Sequence, residues 1–256
     1  MRAQSLTLAA AGAALLAPTL APTTISDVPL PDAVHERAGN AGPPGNAGSA
    51  GGVRAADLLA AVRDCVPVSR GFYRTDNGAP ADIPVCGKSG AVFWKADLDI
   101  DCDGRRGPYC NETTDPLFAD TTAFRQSDGN YLSAETLPYV VVPAASHIWN
   151  HYEHGVRSGT VAAVIHGDRV QYAVVGDLGP KDLVGEASYA TARGLGIRPD
   201  PQGGGAASGV TYIFFEGPGV SPIENSRAAV AEGERLARKF IRRNEAHWGR
   251  SPHTFR

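Results

Sequence analysis

The segment VVGDLGPKDLVGEAS, residues 174–188, places two carboxylates, Asp177 and Glu186, on either side of a Gly-Pro turn. Two carboxylates that flank a sugar bond can break it. One protonates the leaving oxygen, and the other activates water or attacks directly. Each acid follows a glycine, Gly176 or Gly185, which would let a bulky substrate approach the backbone. A plainer reading fits the same residues: aspartate is common in turns, and glutamate in the first turn of a helix is favoured by the helix dipole. The choice depends on what else the chain carries and on the elements that hold the pair.

The densest acidic stretch is KADLDIDCDGR. Asp97, Asp99 and Asp101 share one alternation parity, so in a strand they lie on one face. Neighbouring like charges repel, and such a row stays in water or faces a cationic partner. Calcium is one such partner. Counting from Asp99, however, the twelfth position, where an EF-hand has its bidentate Glu, is Cys110. A cationic carbohydrate is the other. HIWNHYEH would align His147, His151 and His154 on one helical face, and His166 follows further on. Pro143 and the small residues after it disfavour that helix. A solvated or structural role therefore outweighs zinc, and no metal site is expected. The chain contains no G-x-S-x-G, H-E-x-x-H or P-loop pattern.

Around these residues lie short apolar runs bounded by Gly, Pro, Asp or Asn. GAVFWKADLDI, LPYVVVP, TVAAVIHG, RVQYAVVGD and VTYIFFEG read as strands. In the first, Val92, Trp94, Ala96 and Leu98 fall on one side. HGDRV carries a Gly-Asp hairpin signal. AADLLAAVRDC has helical spacing at Leu58, Leu59 and Val62. GEASYATARGLGI and ENSRAAVAEGERLARKFIRRNEAHW also read as helices, the second with Val230, Leu236, Phe240 and Ile241 on its apolar face. Several short strands with few helices predict a mainly β domain closed into a barrel or sandwich.

The 256 residues carry a net charge of −3, with no polybasic groove outside Arg235–Arg243, which gives no case for nucleic-acid binding. MRAQSLTLAAAGAALLAPTLA has a positive start and a short Ala-rich apolar core, the pattern of a secretory signal rather than a permanent membrane span. NAGPPGNAGSAGG, residues 40–52, cannot bury a core and reads as a flexible linker. The expected organisation is a signal over 1–25, a linker over 26–53 and a catalytic domain over 54–256. Four cysteines in one stretch fit an exported chain, and their spacing is not that of a zinc site. Three pairings are possible. CDGRRGPYC is a Gly/Pro turn closed by two cysteines, which favours Cys102–Cys110 and hence Cys65–Cys86.

FYRTDNG, FWKADLDIDCDG, LPYVVVP, TVAAVIHGDRVQYAVVGDLGP, VGEASYATARGLGI and TYIFFEG occur in the order seen in glycoside hydrolase family 75, the secreted endo-chitosanases. The resemblance covers roughly residues 70–217, and the combination of D-I-D-C-D-G with G-D-x-G-P and G-E-A-S carries it. It implies a six-stranded double-psi β-barrel with flanking short helices. It also implies inverting hydrolysis of β-1,4 bonds in chitosan without a cofactor. The family's two essential acids fall on Asp177 and Glu186; comparison with other double-psi hydrolases makes Glu186 the general acid and Asp177 the general base. Chitosan is cationic, so Asp97, Asp99 and Glu216 are expected to bind substrate. Tyr73 and Trp149 are expected to stack on sugar faces, whereas Trp94 reads more readily as core. The expected protein is a secreted monomer, free of the membrane once its signal is removed. The same segments also resemble rare-lipoprotein-A-type barrels, some of which cleave peptidoglycan, and this supplies the alternative activity. A non-catalytic carbohydrate-binding module is the third reading.

Overall fold

The computed structural model describes residues 52–245. The expected signal, and the linker apart from its last two residues, lie outside the described residues. The elements run α1 (Ala55–Ala61), β1 (Val66–Pro67), β2 (Cys86–Lys88), β3 (Ala91–Asp101), β4 (Tyr139–Pro143), β5 (Val161–His166), β6 (Arg169–Gly179), β7 (Glu186–Ser188), α2 (Tyr189–Leu195), β8 (Ala206–Phe215) and α3 (Ser226–Glu245). All five apolar runs expected as strands are strands. The Gly167-Asp168 turn joins β5 to β6, with His166 opposite Arg169.

Strand order is β3-β7-β4-β6-β5-β8, and β8 pairs back onto β3. That closes six strands into a barrel of mixed direction: β3–β7 and β4–β6 are parallel, and the remaining barrel pairs are antiparallel. This is the double-psi architecture the family resemblance implied. The β1–β2 pair lies beside the first part of β3.

Side-chain alternation divides the core in two. Val92, Trp94, Ala96 and Leu98 of β3 join Val140, Val142, Ala162, Val164, Val175, Tyr212 and Phe214 inside the barrel. Trp94 is its centre, packed on Phe214 at 4.3 Å and Tyr212 at 5.9 Å between ring centroids. The opposite parity, including Phe93, Ala163, Ile165, Val174 and Ile213, faces outward beneath α1 and α3. On α3 the buried stripe is Ala229, Gly233, Leu236, Ala237 and Phe240. Val230 and Ile241, expected on that face, are only partly buried at its edges. Burying Leu236 and Phe240 contributes roughly 1.5–3 kcal/mol each. Among the described residues no helix is long and apolar enough to cross a membrane.

The helix expected over GEASYATARGLGI starts later than expected. Glu186–Ser188 forms β7, held on one side by β3 and on the other by β4. The helix begins at Tyr189, where the Ser188 hydroxyl accepts from the Thr191 N–H at 3.2 Å. Two neighbouring strands offered backbone partners that a further helical turn could not match. The disulfides are Cys65–Cys86 and Cys102–Cys110, as expected, with no free cysteine.

Candidate active site

Asp177 is neither a turn residue nor inside the barrel, and one glycine decides this. Along β6, Val174 points outward and Val175 inward, so plain alternation would send residue 177 inward with Val175. The β4–β6 register shifts at this point: Val140 pairs with Val175, but Val141 pairs with Asp177. Gly176 is the extra residue of a bulge, and the bulge turns Asp177 to the outer face beside Val141. Only glycine fits there, because a Cβ would stand 2.6 Å from Tyr139 Cβ.

Glu186 reaches the same face from β7. It pairs with Asp99, and Val140 pairs with Ala187. That antiparallel register sets Val141 beside Glu186, so β4 separates the two acids. Their backbones are therefore two strand spacings apart, about 9–10 Å. Gly179 faces the Glu186 carboxylate; a Cβ there would lie 2.8 Å from Oε2. Gly185 has φ +118, and a Cβ on it would collide with Asp97 Oδ1. The glycines before both acids thus leave room for Tyr139 and for Asp97.

The acids open onto a cleft of about 480 Å³. Asp99, Asp101 and Asp103 line it from the end of β3, and Asp115 and Asp200 from loops, together with Asp177 and Glu186. Among the described residues no Lys, Arg or His lines it. Seven carboxyl groups without a cation among them make a negative field that draws in positive ligands, even where crowding leaves some of them protonated.

The two central acids differ in their support. Burial raises the Asp177 pKa above the ordinary value, while backbone N–H groups of Ala123 and Leu178, each 2.7 Å from Oδ1, oppose the rise by favouring the carboxylate. Glu186 is pushed up to about 7, first by burial and then by the charges of Asp99, Asp103, Asp177 and Asp76. Burial likewise takes Asp103 to about 6, although the Ala119 N–H at 2.7 Å opposes it. Burial also holds Asp101 well above the usual range. Asp200 goes the other way, lowered by the N–H of Gln202.

Of the expected substrate-binding residues, Asp99 lines the cleft. Asp97 is buried at 5% exposure beside it and does not line it. Tyr73 and Trp149 are buried in the barrel-side cluster, Trp149 edge-on to Trp94 at 6.1 Å. Their rings are covered by protein, which corrects the expectation that they stack on sugar. Trp94 is core, as read from the sequence. Glu216 follows the end of β8 that pairs with Ala91, and its N–H donates to Gly90 O. That is the opposite end of β3, roughly 25 Å along the strand from Asp99, so Glu216 is no part of this cleft. Among the described residues the histidines form no group that could hold a metal: His154 Nδ1 accepts from Trp149 Nε1 at 2.9 Å, and His151 Nδ1 bonds Val156 O at 2.8 Å. The sequence reading missed Asp103, although it stands in the quoted D-I-D-C-D-G. It also missed Asp115 and Asp200, which loops bring in without any period.

A family model described as fungal chitosanase of glycosyl hydrolase group 75 matches residues 98–244. Endo-chitosanase C of Aspergillus oryzae is 32% identical over 133 residues, covering 50% of this chain and 32% of that protein. An endo-chitosanase of Aspergillus fumigatus is 28% identical over 137 residues, covering 49% of this chain and 58% of that protein. Endo-chitosanase B of Aspergillus oryzae is 26% identical over 170 residues, covering 60% and 70%. The chain therefore spans less than two thirds of the first two relatives.

Proposed function

The chain belongs to glycosyl hydrolase group 75, and from that premise we propose that it is an endo-chitosanase that cuts β-1,4 bonds between glucosamine residues with inversion. The observation that carries this reading is a pair of unequally supported carboxyls in a cleft walled by acids. Glu186, with its pKa near 7, keeps a proton to give to the leaving glycosidic oxygen. Asp177, with two backbone N–H donors on one oxygen, is the base. It takes a proton from a water that attacks the anomeric carbon from the opposite face. Inverting carboxyls stand about 6.5–9.5 Å apart to leave room for that water, which a two-strand separation accommodates. Asp99, Asp103, Asp115 and Asp200 attract and bond the substrate ammonium groups.

Glu186 lies on a strand and not in the first turn of a helix, where the dipole would favour its ionised form. The acidic cleft argues against peptidoglycan, whose own carboxylates it would repel. A non-catalytic binding module has no need of two differently held acids. Two disulfides with no free thiol suit an exported protein, and we assign it to the extracellular space as a monomer. The test is reducing-end release from chitosan, chitin and peptidoglycan side by side, with the first-formed anomer followed by NMR. Release from chitosan as the α-anomer is expected. A β-anomer would sink the inverting mechanism, and cleavage of peptidoglycan alone would sink the substrate.

A further inference from the structure

Asp76, Asp97 and Asp99 each offer one carboxylate oxygen, and these oxygens lie within 4.8 Å of one another. The charges acting on Asp97 are those of Asp99, Asp76 and Glu186, all of one sign. An acidic cluster on a surface can be left to water, but part of this one is enclosed. Asp97 is only 5% exposed, and its Oδ1 has no hydrogen-bond partner. A buried carboxylate oxygen without a donor is costly and needs a reason.

The fold is also shaped around that oxygen. The β3–β8 ladder breaks at Asp97: Ala96 pairs with Val210 and Leu98 with Ala206, so one residue of β3 stands against three of β8. Gly185 lies against Oδ1 in a conformation that L side chains rarely adopt, and any Cβ there would fill the oxygen's place. Backbone is thus arranged on two sides of the Asp97 carboxyl, which stands beside those of Asp76 and Asp99.

We propose that Asp76, Asp97 and Asp99 bind one calcium ion at the shoulder of the cleft. Calcium takes oxygen ligands at about 2.3–2.6 Å, so ligands on opposite sides of the ion stand about 4.6–5.2 Å apart. Three oxygens within 4.8 Å of one another fit on such a sphere, with water completing it. Three protein ligands are fewer than a full cage, which places the dissociation constant at about 10⁻⁴–10⁻³ M, the range of extracellular calcium modules. Asp99 also lines the cleft. On the chitosanase reading, the bound ion then cancels one of the charges that attract the substrate, and calcium raises the KM for chitosan.

The test uses the full chain stripped with chelator and titrated with calcium chloride, read by calorimetry and by thermal unfolding rather than by activity. One saturable site and a Tm that rises with calcium are expected. Asp97→Asn and Asp76→Asn should each weaken binding about tenfold or more. Asp115→Asn, which removes a cleft carboxylate outside the cluster, should leave affinity within about twofold. Asp76 is exposed, so Asp76→Asn gives its result even if Asp97→Asn fails to fold. The proposal is overturned by absence of saturable binding up to about 10 mM, or by binding that survives both Asp76→Asn and Asp97→Asn. It is equally overturned if Asp115→Asn abolishes binding, or if glucosamine, and not calcium, binds in a way that Asp76→Asn removes. Since no outcome depends on glycan cleavage, failure of the chitosanase reading would leave it standing.

Discussion

The two ends of β3 are built from the same strand and are used in opposite ways. At the first end, Ala91, Val92, Phe93 and Trp94 are all at most 2% exposed. There Cys86, on β2, pairs with Phe93 and is bonded to Cys65. At the other end, Asp99, Asp101 and Asp103 face the cleft, and Cys102 closes a loop with Cys110. Each end therefore has a disulfide, but one secures packing and the other secures a row of mutually repelling charges. A single strand can supply both core and site because the ladder does not care what the side chains are. Only what covers each face decides that.

The largest effect should appear at the cleft end. Asp177→Asn and Glu186→Gln are each expected to cut kcat for chitosan by about 10²–10⁴-fold while circular dichroism and Tm stay near those of the parent. Azide should rescue Asp177→Asn, since a small anion can replace a base, and should not rescue Glu186→Gln, since azide cannot donate the proton. Rescue of the glutamine variant alone would reverse the two roles, and near-normal activity in both would end the catalytic reading.

At the core end the effect should fall on stability. Trp94→Ala is expected to cost about 3–5 kcal/mol in denaturant unfolding. A loss below 1 kcal/mol would mean that Trp94 is not the centre of the barrel interior.

The disulfides sharpen the contrast. Their sequence separations are 21 and 8, for which loop closure gives about 3.3 and 2.5 kcal/mol respectively. Replacing Cys65 and Cys86 by serine should therefore cost more stability. Replacing Cys102 and Cys110 should cost more activity, since that loop carries Asp103. Equal activity losses from the two pairs would remove the distinction between the ends.

The smallest effect is a pH dependence. Asp97 and Glu186 are raised to about 7 and Asp103 to about 6, above ordinary values of 3.8 and 4.5. A carboxyl whose folded pKa is raised contributes stability that is fully present below its unfolded pKa and lost as pH climbs through the folded one. In chelator, Tm should accordingly fall between about pH 4 and pH 7, and Asp97→Asn should flatten the fall. A Tm that rises across this interval would contradict the charge crowding at the cleft.

Much of the fold was legible because alternation is a local signal: five strands, the hairpin at Gly167-Asp168 and the parity of Val92, Trp94, Ala96 and Leu98 follow from it. The three residues of β7 were not legible, since their strand character comes from partners on β3 and β4 that lie far away in sequence. Asp177 and Glu186 could be picked out as a pair. The direction in which Asp177 points could not, because counting from Val174 gives the wrong face and the bulge at Gly176 leaves no mark beyond one more glycine. Tyr73 and Trp149 failed as sugar platforms for a related reason: an aromatic residue has the same composition signature at a rim and in a core. Asp115 and Asp200 sit in irregular loops, where spacing carries no information.

That β4 runs between Asp177 and Glu186 has a consequence for redesign. The gap between the two acids is set by hydrogen-bond ladders on either side of Val141, so it is a property of the barrel and not of the loops that wall the cleft. On the chitosanase reading, exchanging the loops that carry Asp115 and Asp200 should change which sugars are accepted and leave the stereochemistry of the product as it was. A one-residue insertion in β4 would do the reverse, leaving every cleft acid in the sequence while taking Asp177 and Glu186 out of alignment. On that reading, selectivity and stereochemical outcome are separable inheritances and could be varied one at a time.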